Sequence, residues 1–589
     1  MIFPVPVKEE YFDGKYKLKE KYDTAVLFEF YKSTENGTND IKLKENVLLK
    51  KEEYSIKINE NGICVEFSCD EGKFRALTSV RQLIVIEGEE LSYADISDFP
   101  QFEHRSYMLD ISRDRIPKPE KIMHIIDYLS ELKYNEFQLY MENFCFKYSA
   151  YPDYTKNFDC LTPDDIVMLD KYCKERFIEL VPNQNSFGHM DTWLGQDELK
   201  ILEVTDGKAK TGTVNPLMDE TKELIDNIYG SLLPYFSSGR VNIGLDEAYG
   251  LGKYQLEKEC SEKGKANVFM DYLCYLSELA EKKYGKTVMF WDDMVINYPE
   301  SFHRVPKNAV ALEWGYELIQ SQMMGENCKS LADKGVRFYV CPGTNVCLTF
   351  TGRFDIASFN LRTAGELGRK HGAEGYMVTD WGNNGNPQFF VWSYVPLALA
   401  GQYAWNVGRK QHGGWLKSWY IHAAEEFADR FLFKAKVSRE LYRIASYYQL
   451  EPERLHGSTI CAHIFLNPLE KDNYVDFFKF SEIADPIYFE EIIARMKKEQ
   501  SRIKKLDFAE DLKSEILCNS DIVILCSEYA LVKIAGKVSK EKYDELTAYS
   551  EKIEKDFTRL WLNKDFEEGI NTSLSNIRNR RQELKSFVK

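Results

Sequence analysis

The sequence lacks the features that mark membrane, secreted and disulfide-linked proteins. It has no apolar run of about 18 residues, the length that a membrane-spanning helix needs. Its first ten residues lack the basic and apolar segments of a secretory signal. Its thirteen cysteines form no Cys-x-x-Cys pair, which indicates reduced, buried thiols. We therefore expect a cytoplasmic protein that does not engage a membrane.

The chain also has fewer basic than acidic residues. The chain has 77 Lys and Arg against 93 Asp and Glu, a net charge of −16 at pH 7. This balance argues against a nucleic-acid partner, which requires a basic face, and suits a neutral substrate. The sequence also lacks a phosphate-binding loop and the His-Glu-x-x-His zinc motif.

The two ends of the chain predict different kinds of domain. Residues 1–100 predict a small α+β domain, because alternating strands at 55–59 and 63–67 flank an Asn-Gly turn and a helical apolar pattern follows at 74–86. Residues 411–589 predict a helical C-terminal region that packs against the central domain or against a second subunit in a homodimer. The helical patterns of that region cover residues 438–449, 486–505, 509–527, 540–557 and 573–587.

The central residues 101–410 alternate short apolar runs with longer amphipathic segments. Such alternation indicates a parallel sheet, and eight units in about 300 residues fit an α/β fold of the (β/α)8 TIM barrel type. An open doubly wound sheet is the alternative, but no Gly-x-Gly-x-x-Gly follows the first run. The predicted strands are 107–111, 136–141, 177–182, 241–245, 287–291, 309–314, 337–341 and 375–379. The predicted helices are 119–132, 164–176, 221–235, 266–284 and 354–370.

The fourth predicted strand ends in two adjacent carboxylates, Asp246 and Glu247. In a barrel, catalytic residues collect at the carboxyl ends of the strands. Two acids at one site can take different pKa values, so that one stays ionised while the other keeps a proton. Glycoside cleavage requires this arrangement. Two solvated acids at a strand end are the alternative interpretation of this pair alone.

The other strand ends carry polar and aromatic residues of the kind that bind sugars. Each has an ordinary structural explanation when taken alone, but together they would surround one barrel mouth. Tryptophans can stack on a pyranose ring, and by excluding water they should raise the pKa of Glu247, which suits a general acid. Arg113 can donate paired hydrogen bonds to hydroxyls. The candidates are Arg113, Glu142, His189, Trp291, Trp314, Tyr316, Trp381 and Asn383.

Eight motifs, in this order along the chain, resemble glycoside hydrolase family 20, the β-N-acetylhexosaminidases, and most closely its compact bacterial cytoplasmic branch. The small N-terminal domain also resembles the one that precedes this family's barrel. The motifs are Leu109-Asp-Ile-Ser-Arg-Asp-Arg-Ile-Pro117, Phe137-Gln-Leu-Tyr-Met-Glu-Asn143, Phe187-Gly-His-Met190, Asn242-Ile-Gly-Leu-Asp-Glu247, Trp291-Asp-Asp-Met294, Glu313-Trp-Gly-Tyr316, Cys341-Pro-Gly-Thr344 and Thr379-Asp-Trp-Gly382.

The resemblance implies a retaining, exo-acting hydrolase of terminal β-linked N-acetylhexosamine, either GlcNAc or GalNAc, on a small glycan or glycoconjugate. Its nucleophile would be the 2-acetamido oxygen of the substrate. Glu247 would be the general acid and base, and Asp246 would hold the acetamido N–H. The resemblance implies neither a metal nor an organic cofactor. The resemblance also implies that Glu142 and His189 tune the proton affinity of Glu247, that Arg113 binds the C3 and C4 hydroxyls, and that Trp291, Trp314 and Trp381 line the sugar pocket.

Three positions depart from the family pattern. Asn383 stands where the family usually has an acid that binds the C4 or C6 hydroxyl. Asn386 replaces a histidine of the branch and Cys347 a tryptophan, and Tyr316 is the candidate for the tyrosine that binds the acetamide oxygen. An amide at position 383 could admit an anionic C6 substituent, because it removes the repulsion that a carboxylate would cause.

Two other functions are compatible with the same barrel. A β-galactosidase-like enzyme would need a protein nucleophile on a late strand, such as Asp380. A catalytically inactive carbohydrate-binding barrel is the second alternative. The latter is disfavoured because binding alone does not require an acid–base carboxyl such as Glu247.

Overall fold

The structure is a computed structural model that describes residues 1–408, 415–475 and 477–589. Its N-terminal part is a five-stranded sheet packed with two helices, Leu27–Thr34 and Asp70–Glu87. The strands are β1 (Lys8–Lys17), β2 (Ile41–Glu45), β3 (Tyr54–Asn59), β4 (Gly62–Phe67) and β5 (Glu90–Asp98). The sheet order is β1-β5-β3-β4-β2, and only β2 and β4 pair in parallel. The predicted hairpin is confirmed, since β3 and β4 pair with Asn59 opposite Gly62.

The next eight strands are parallel and close into a barrel in chain order, which confirms the predicted (β/α)8 fold. They are β6 (His104–Asp110), β7 (Glu136–Met141), β8 (Glu179–Gln184), β9 (Arg240–Asn242), β10 (Thr287–Trp291), β11 (Val310–Trp314), β12 (Arg337–Cys341) and β13 (Gly375–Asp380). The longer helices between and after them are Pro119–Glu131, Pro163–Lys174, Asp219–Leu232, Lys265–Tyr284, Leu318–Asp333, Phe354–His371 and Tyr394–Trp405. Shorter helices are Pro152–Thr155, Asp191–Leu194 and Glu257–Lys263. Two of the longer helices, Leu318–Asp333 and Tyr394–Trp405, were not predicted.

Five of the eight predicted barrel strands have different limits in the structure, and for two of them, the third and the fourth, the backbone shows why. The third begins at Glu179 because Phe177 takes a φ of 55°, which a strand does not accommodate. The ring of Phe177 instead packs 5.3 Å from that of Phe74 in the N-terminal domain. The fourth ends at Asn242, because Gly244 and Leu245 take φ values of 73° and 78°. The chain therefore turns before it reaches the acid pair.

The C-terminal region is helical, as predicted, and carries one short ribbon, β14 (Tyr474–Val475) with β15 (Phe478–Lys479). Its longer helices are Trp415–Phe427, Ser438–Ala445, Ile460–Leu466, Pro486–Ile503, Glu510–Ala535, Lys540–Lys564 and Ile570–Glu583, and Phe480–Ile483 is a single turn. The region packs directly on the barrel, where Arg115 lies 4.0 Å from the centre of the Trp561 ring and 3.3 Å from Asp565. The predicted boundary between residues 410 and 411 lies outside the described residues.

The thirteen cysteines are free thiols. In the described part of the chain, no helix combines the length and apolar character needed to cross a bilayer.

A buried ionic network joins the N-terminal domain to the bottom of the barrel. Glu52 accepts hydrogen bonds from Arg75, at 3.0 Å, and from Arg105 at the start of β6. Arg75 also donates to the carbonyl oxygen of Tyr134 at 3.0 Å. Burial alone would raise the pKa of Glu52, but the charges of Arg105 and Arg75 outweigh it and lower this pKa to about 2. The network therefore ties two domains through a carboxylate that stays ionised.

Replacing Glu52 tests this network. Glu52→Gln leaves two buried guanidinium groups without a counter-charge, so we expect a loss of about 3–5 kcal/mol in the free energy of unfolding, measured with urea at pH 7. Because the folded pKa of Glu52 lies below its unfolded value, its contribution is present at neutral pH and disappears as the pH falls from about 4.5 towards 2. The difference between wild type and variant should shrink over that window. Glu53→Gln, which removes the same charge one residue away, should change stability little, and equal effects of the two variants would contradict the assignment.

Candidate active site

The predicted site residues meet in one cavity at the carboxyl ends of the barrel strands. The cavity has a volume of about 250 Å³. Every predicted site residue except Glu142 lines it, and Glu142 lies behind the wall in contact with two that do. The predicted residues in the wall are Arg113, His189, Asp246, Glu247, Trp291, Trp314, Tyr316, Trp381 and Asn383.

The turn after β9 presents the acid pair to this cavity. Gly244 takes a φ of 73°, and a Cβ there would lie 1.9 Å from the side-chain oxygen of Asn185, so only glycine fits. Asn185 accepts the N–H of Leu245 and donates to Asp246, both at 3.2 Å. Glu247 follows with a φ of 45°. The tight, left-handed turn thus places both acids beside the cavity, as an extended strand could not.

His189 lies between the carboxylates of the site. Its Nε2 is 3.2 Å from Glu247 and 3.4 Å from Asp246, and its Nδ1 is 3.9 Å from Glu142. Burial alone would lower the pKa of His189, but its contacts with Asp246 and Glu247 outweigh burial and raise it to about 10. The imidazole is therefore a cation at neutral pH, with a carboxyl group facing each of its nitrogens.

The expectation that aromatic surroundings raise the pKa of Glu247 is wrong. Contact with the His189 cation lowers the pKa of Glu247, and this outweighs the opposite effect of burial. The side chain of Glu247 is also 36% exposed, so desolvation is incomplete. Glu247 is an anion at neutral pH, and the proton of the pair resides on His189.

Arg113 occupies the opposite end of this charge network. Its guanidinium is 3.0 Å from Glu142 and 3.3 Å from Asp110, and it lies 4.9 Å from the ring centre of Trp381. Asp110 also accepts the backbone N–H groups of Arg113, at 3.1 Å, and of Gly382, at 3.0 Å. One carboxylate therefore holds together the loops that follow β6 and β13.

Aromatic rings form a continuous wall of the cavity. Trp291 and Trp381 have ring centres 5.9 Å apart, and Trp314 stacks on Tyr316 at 5.3 Å. Tyr316 in turn meets Trp381 edge to face at 6.5 Å, and Tyr140 packs behind Trp381 at 4.8 Å. Such a wall offers the apolar surface that a pyranose face can cover.

The three departures from the family pattern lie in two places. Asn383 and Cys347 line the cavity, and Asn383 takes a φ of 56°. Asn386 does not line it but faces a smaller space behind, where its carbonyl oxygen accepts a hydrogen bond from Arg115 at 3.1 Å. The substitutions at 383 and 347 can therefore contact a substrate directly.

Asp380, the alternative nucleophile, is buried outside the cavity wall. Its two oxygens accept hydrogen bonds from Tyr107, at 2.9 Å, and from Thr344, at 2.8 Å. Both bonds are internal to the barrel. A carboxylate held in this way supports the strand ends and has no access to a bound sugar.

Sequence reasoning missed Asp293, which supports the acid pair from behind. Asp293 accepts the backbone N–H of Glu247 at 3.0 Å. Burial and the charge of Asp246 raise the pKa of Asp293. Its position in the strand-end motif Trp291-Asp-Asp-Met294 was the signal that could have identified it.

Further wall residues were also missed, among them Glu317, Arg353 and Gly457. Glu317 directly follows Tyr316, so the rule that strand ends carry the site could have found it. Gly457 comes from the C-terminal region, where no sequence motif indicated a role. Among the described residues, no group of three or more His, Cys, Asp or Glu side chains is arranged to hold a metal ion.

Comparisons with known proteins match this chain to one family of glycosyl hydrolases and to beta-hexosaminidases. The model of the glycosyl hydrolase family 20 catalytic domain matches residues 102–360, and that of the family's domain 2 matches residues 12–99. Beta-hexosaminidase subunit A1 of Dictyostelium discoideum is 28% identical over 252 residues, which cover 38% of this chain and 46% of that protein. The alpha subunit of Bos taurus beta-hexosaminidase is 24% identical over 296 residues, covering 45% and 55%. The chain thus spans about half the length of these curated relatives.

Solved structures share the fold at low identity. The beta-N-acetylhexosaminidase of Bacteroides fragilis has a TM-score of 0.58 and 20% identity, covering 73% of this chain and 96% of that one. The chitobiase of Flavobacterium johnsoniae has a TM-score of 0.62 and 15% identity, covering 98% of each chain. The two family models match consecutive parts of the chain that together make up more than half of it, and the barrel is confirmed, so the chain belongs to glycoside hydrolase family 20.

Proposed function

We propose that this chain is a retaining exo-β-N-acetylhexosaminidase that uses the 2-acetamido group of its substrate as the nucleophile. The observation that carries the proposal is the distribution of carboxylates. The cavity wall contains Asp246 and Glu247, which come from one turn, and Glu317, which is engaged by Arg353. A protein nucleophile would have to stand across the sugar from the acid, and Asp380 lies outside the wall. The acetamido oxygen of the substrate would therefore act as the nucleophile in place of a protein carboxylate.

The reaction follows from the positions of the two acids. Glu247 donates a proton to the glycosidic oxygen while the acetamido oxygen attacks C1, so that the C1–O bond breaks and an oxazolinium ion forms. Asp246 accepts the acetamido N–H and stabilises the positive charge. Glu247, now a carboxylate, takes a proton from water as the water oxygen attacks C1 and reopens the ring. The product keeps its configuration, because C1 has been attacked twice.

The proton that Glu247 needs is held by its neighbour. The raised pKa of His189 and the lowered pKa of Glu247 place the titratable proton of this pair on the imidazole at neutral pH. Moving it across a contact of 3.2 Å gives the protonated Glu247 that the first step requires. Glu142 and Asp246, on either side of the ring, keep the imidazole in place for this transfer.

The remaining wall recognises the sugar. Arg113 is held by Glu142 and Asp110 with its guanidinium beside Trp381, where it can donate paired hydrogen bonds to ring hydroxyls. The tryptophans exclude water and cover the apolar face of the ring. Tyr316, between Trp314 and Trp381, is the candidate donor to the acetamide oxygen.

A comparison of two substrates tests the proposal directly. Wild type should hydrolyse nitrophenyl β-N-acetylglucosaminide and should leave nitrophenyl β-glucoside, which lacks the acetamido group, essentially intact.

Glu247→Gln should slow hydrolysis of a β-linked N-acetylglucosamine disaccharide by about 10²–10⁴-fold, with a smaller loss in the first step for the nitrophenyl substrate, whose leaving group needs less protonation. Asp246→Asn should reduce turnover with the melting temperature preserved. Equal cleavage of both nitrophenyl substrates, or full activity of both variants, would refute the mechanism.

The His189–Glu247 pair predicts an unusual pH profile. Interacting groups titrate as a unit, so the pair keeps its proton up to the pKa of about 10 of His189. His189→Gln removes the imidazole proton, so that the protonation of Glu247 depends on its carboxyl alone, which loses its proton at a far lower pH than the imidazolium does. The alkaline limb of kcat/KM should therefore move down by several pH units. His303→Gln, a change at an exposed histidine outside the cavity wall, should keep the wild-type profile. An unshifted limb in His189→Gln would show that His189 does not hold the catalytic proton.

Asn383 favours one refinement of the substrate, an N-acetylhexosamine with an anionic C6 substituent. The residue lines the cavity and carries no charge where the family usually has an acid. We expect wild type to turn over a 6-sulfated nitrophenyl N-acetylglucosaminide at least as well as the plain sugar. Asn383→Asp should reduce the 6-sulfated rate selectively through charge repulsion, and aspartate tolerates the positive φ of this position. A clear wild-type preference for the plain sugar would eliminate this refinement.

A further inference from the structure

A short stretch of the C-terminal region, residues 455–458, reaches the wall of the active-site cavity; we call it the rim segment. Gly457 lines the cavity, and its N–H donates to Glu317 at 3.1 Å. The carbonyl oxygen of Leu455 accepts a hydrogen bond from Arg353 at 3.3 Å. Ser458 donates to the carbonyl oxygen of Leu348, at 3.2 Å. The segment is therefore attached to barrel residues along its whole length.

A buried ion pair anchors the rim segment. Arg353 contacts both oxygens of Glu317, one of them at 3.2 Å, and both side chains are buried while lining the cavity. A buried charge pair is stable only where further hydrogen bonds satisfy its remaining atoms. The rim segment supplies two of these, one to each partner. The pair and the segment consequently form one rigid unit.

This unit stands next to the part of the wall that departs from the family. The loop after β12 carries Cys347 and Leu348 in the wall, and Leu348 has a φ of 53°. Arg353 donates its backbone N–H to Asn345 at 3.0 Å, which closes that loop, and Ser458 holds Leu348 from outside. Where the related branch places a large aromatic side chain, this chain has the small thiol of Cys347, and the next residue, Leu348, is the one that Ser458 holds.

We propose that the rim segment forms the subsite for the leaving group and so lets the C-terminal region select substrates by what is attached to the N-acetylhexosamine. This inference rests on the proposed function. Residues on the strand ends and first turns surround the sugar, because they form the floor of the barrel mouth. The rim segment belongs to no barrel strand and reaches the cavity over the loops. It therefore meets the part of the substrate that projects from the mouth, which is the leaving group.

Gly457 allows a sharp test. It takes a φ of 68°, and a Cβ at this position would meet no atom within 4 Å. Asparagine accepts such a backbone better than other side chains, so Gly457→Asn should fold with its amide in the open space beside the cavity. Gly536 gives a matched control within the same region. It has a φ of 62° and equally free space, and it ends the helix Glu510–Ala535 away from the cavity wall.

The measurement compares two leaving groups on the same sugar. For a β-linked N-acetylglucosamine disaccharide, Gly457→Asn should raise KM about tenfold at unchanged kcat, because a steric loss of about 1.4 kcal/mol in binding is tenfold in affinity. For the methyl glycoside, which presents almost nothing beyond the glycosidic oxygen, KM should stay near the wild-type value. Gly536→Asn should match the melting temperature of Gly457→Asn and the kinetics of wild type. Gly457→Ala extends the series with a smaller side chain, should Gly457→Asn fail to fold.

Each other outcome has a distinct meaning. If wild type cleaves both substrates and neither KM responds to substitution at Gly457, the inference is overturned while the proposed function stands. If both KM values rise equally, the segment contacts the sugar and the assignment to the leaving group is wrong. If wild type cleaves neither substrate, the proposed function itself fails, and the inference fails with it.

Discussion

The cation of His189 is the interaction on which the active site depends. Three carboxylates, those of Glu142, Asp246 and Glu247, approach one imidazole within 3.9 Å. Like charges this close oppose one another's ionisation, and without a cation among them some would have to keep a proton. His189 removes that conflict, and its own pKa rises to about 10 as the reciprocal effect. At neutral pH the titratable proton of the His189–Glu247 pair therefore resides on the histidine.

Beyond His189, acidic and basic side chains alternate along a chain of contacts. Glu142 lies between His189 and Arg113, and Arg113 lies between Glu142 and Asp110. Asp110 then fixes two barrel loops through backbone N–H groups. On the far side, Asp293 supports the backbone of Glu247. Each charged side chain that faces the substrate is thus positioned by a partner of opposite charge or by the backbone, which is how a site is held ready before the substrate arrives.

The two regions outside the barrel stabilise it at different places. The N-terminal domain is joined to the start of β6 through Glu52, Arg75 and Arg105, on the side where the strands begin. The C-terminal region packs Trp561 and Asp565 on Arg115 and brings residues 455–458 to the cavity wall. Among the described residues of these two regions, only those of the C-terminal region contribute to the cavity wall. This contact is the basis for the proposal that the C-terminal region forms the subsite for the leaving group.

The barrel could be predicted from the sequence, because the alternation of apolar runs with amphipathic helices is a local pattern that can be recognised without knowledge of tertiary contacts. The sequence also pointed to Asp246, Glu247 and Arg113, since strand ends in a barrel must converge. It could not determine where β9 ends, which depends on the close approach of Asn185 to Gly244, nor that Phe177 leaves its strand to pack on the N-terminal domain. Tertiary structure alone decided the direction of the Glu247 pKa, because that direction is set by a histidine 58 positions away in sequence (247 against 189) and 3.2 Å away in space. It alone brought Gly457 to the cavity, because a hydrogen bond from a main-chain N–H carries no signal in the identity of the residue.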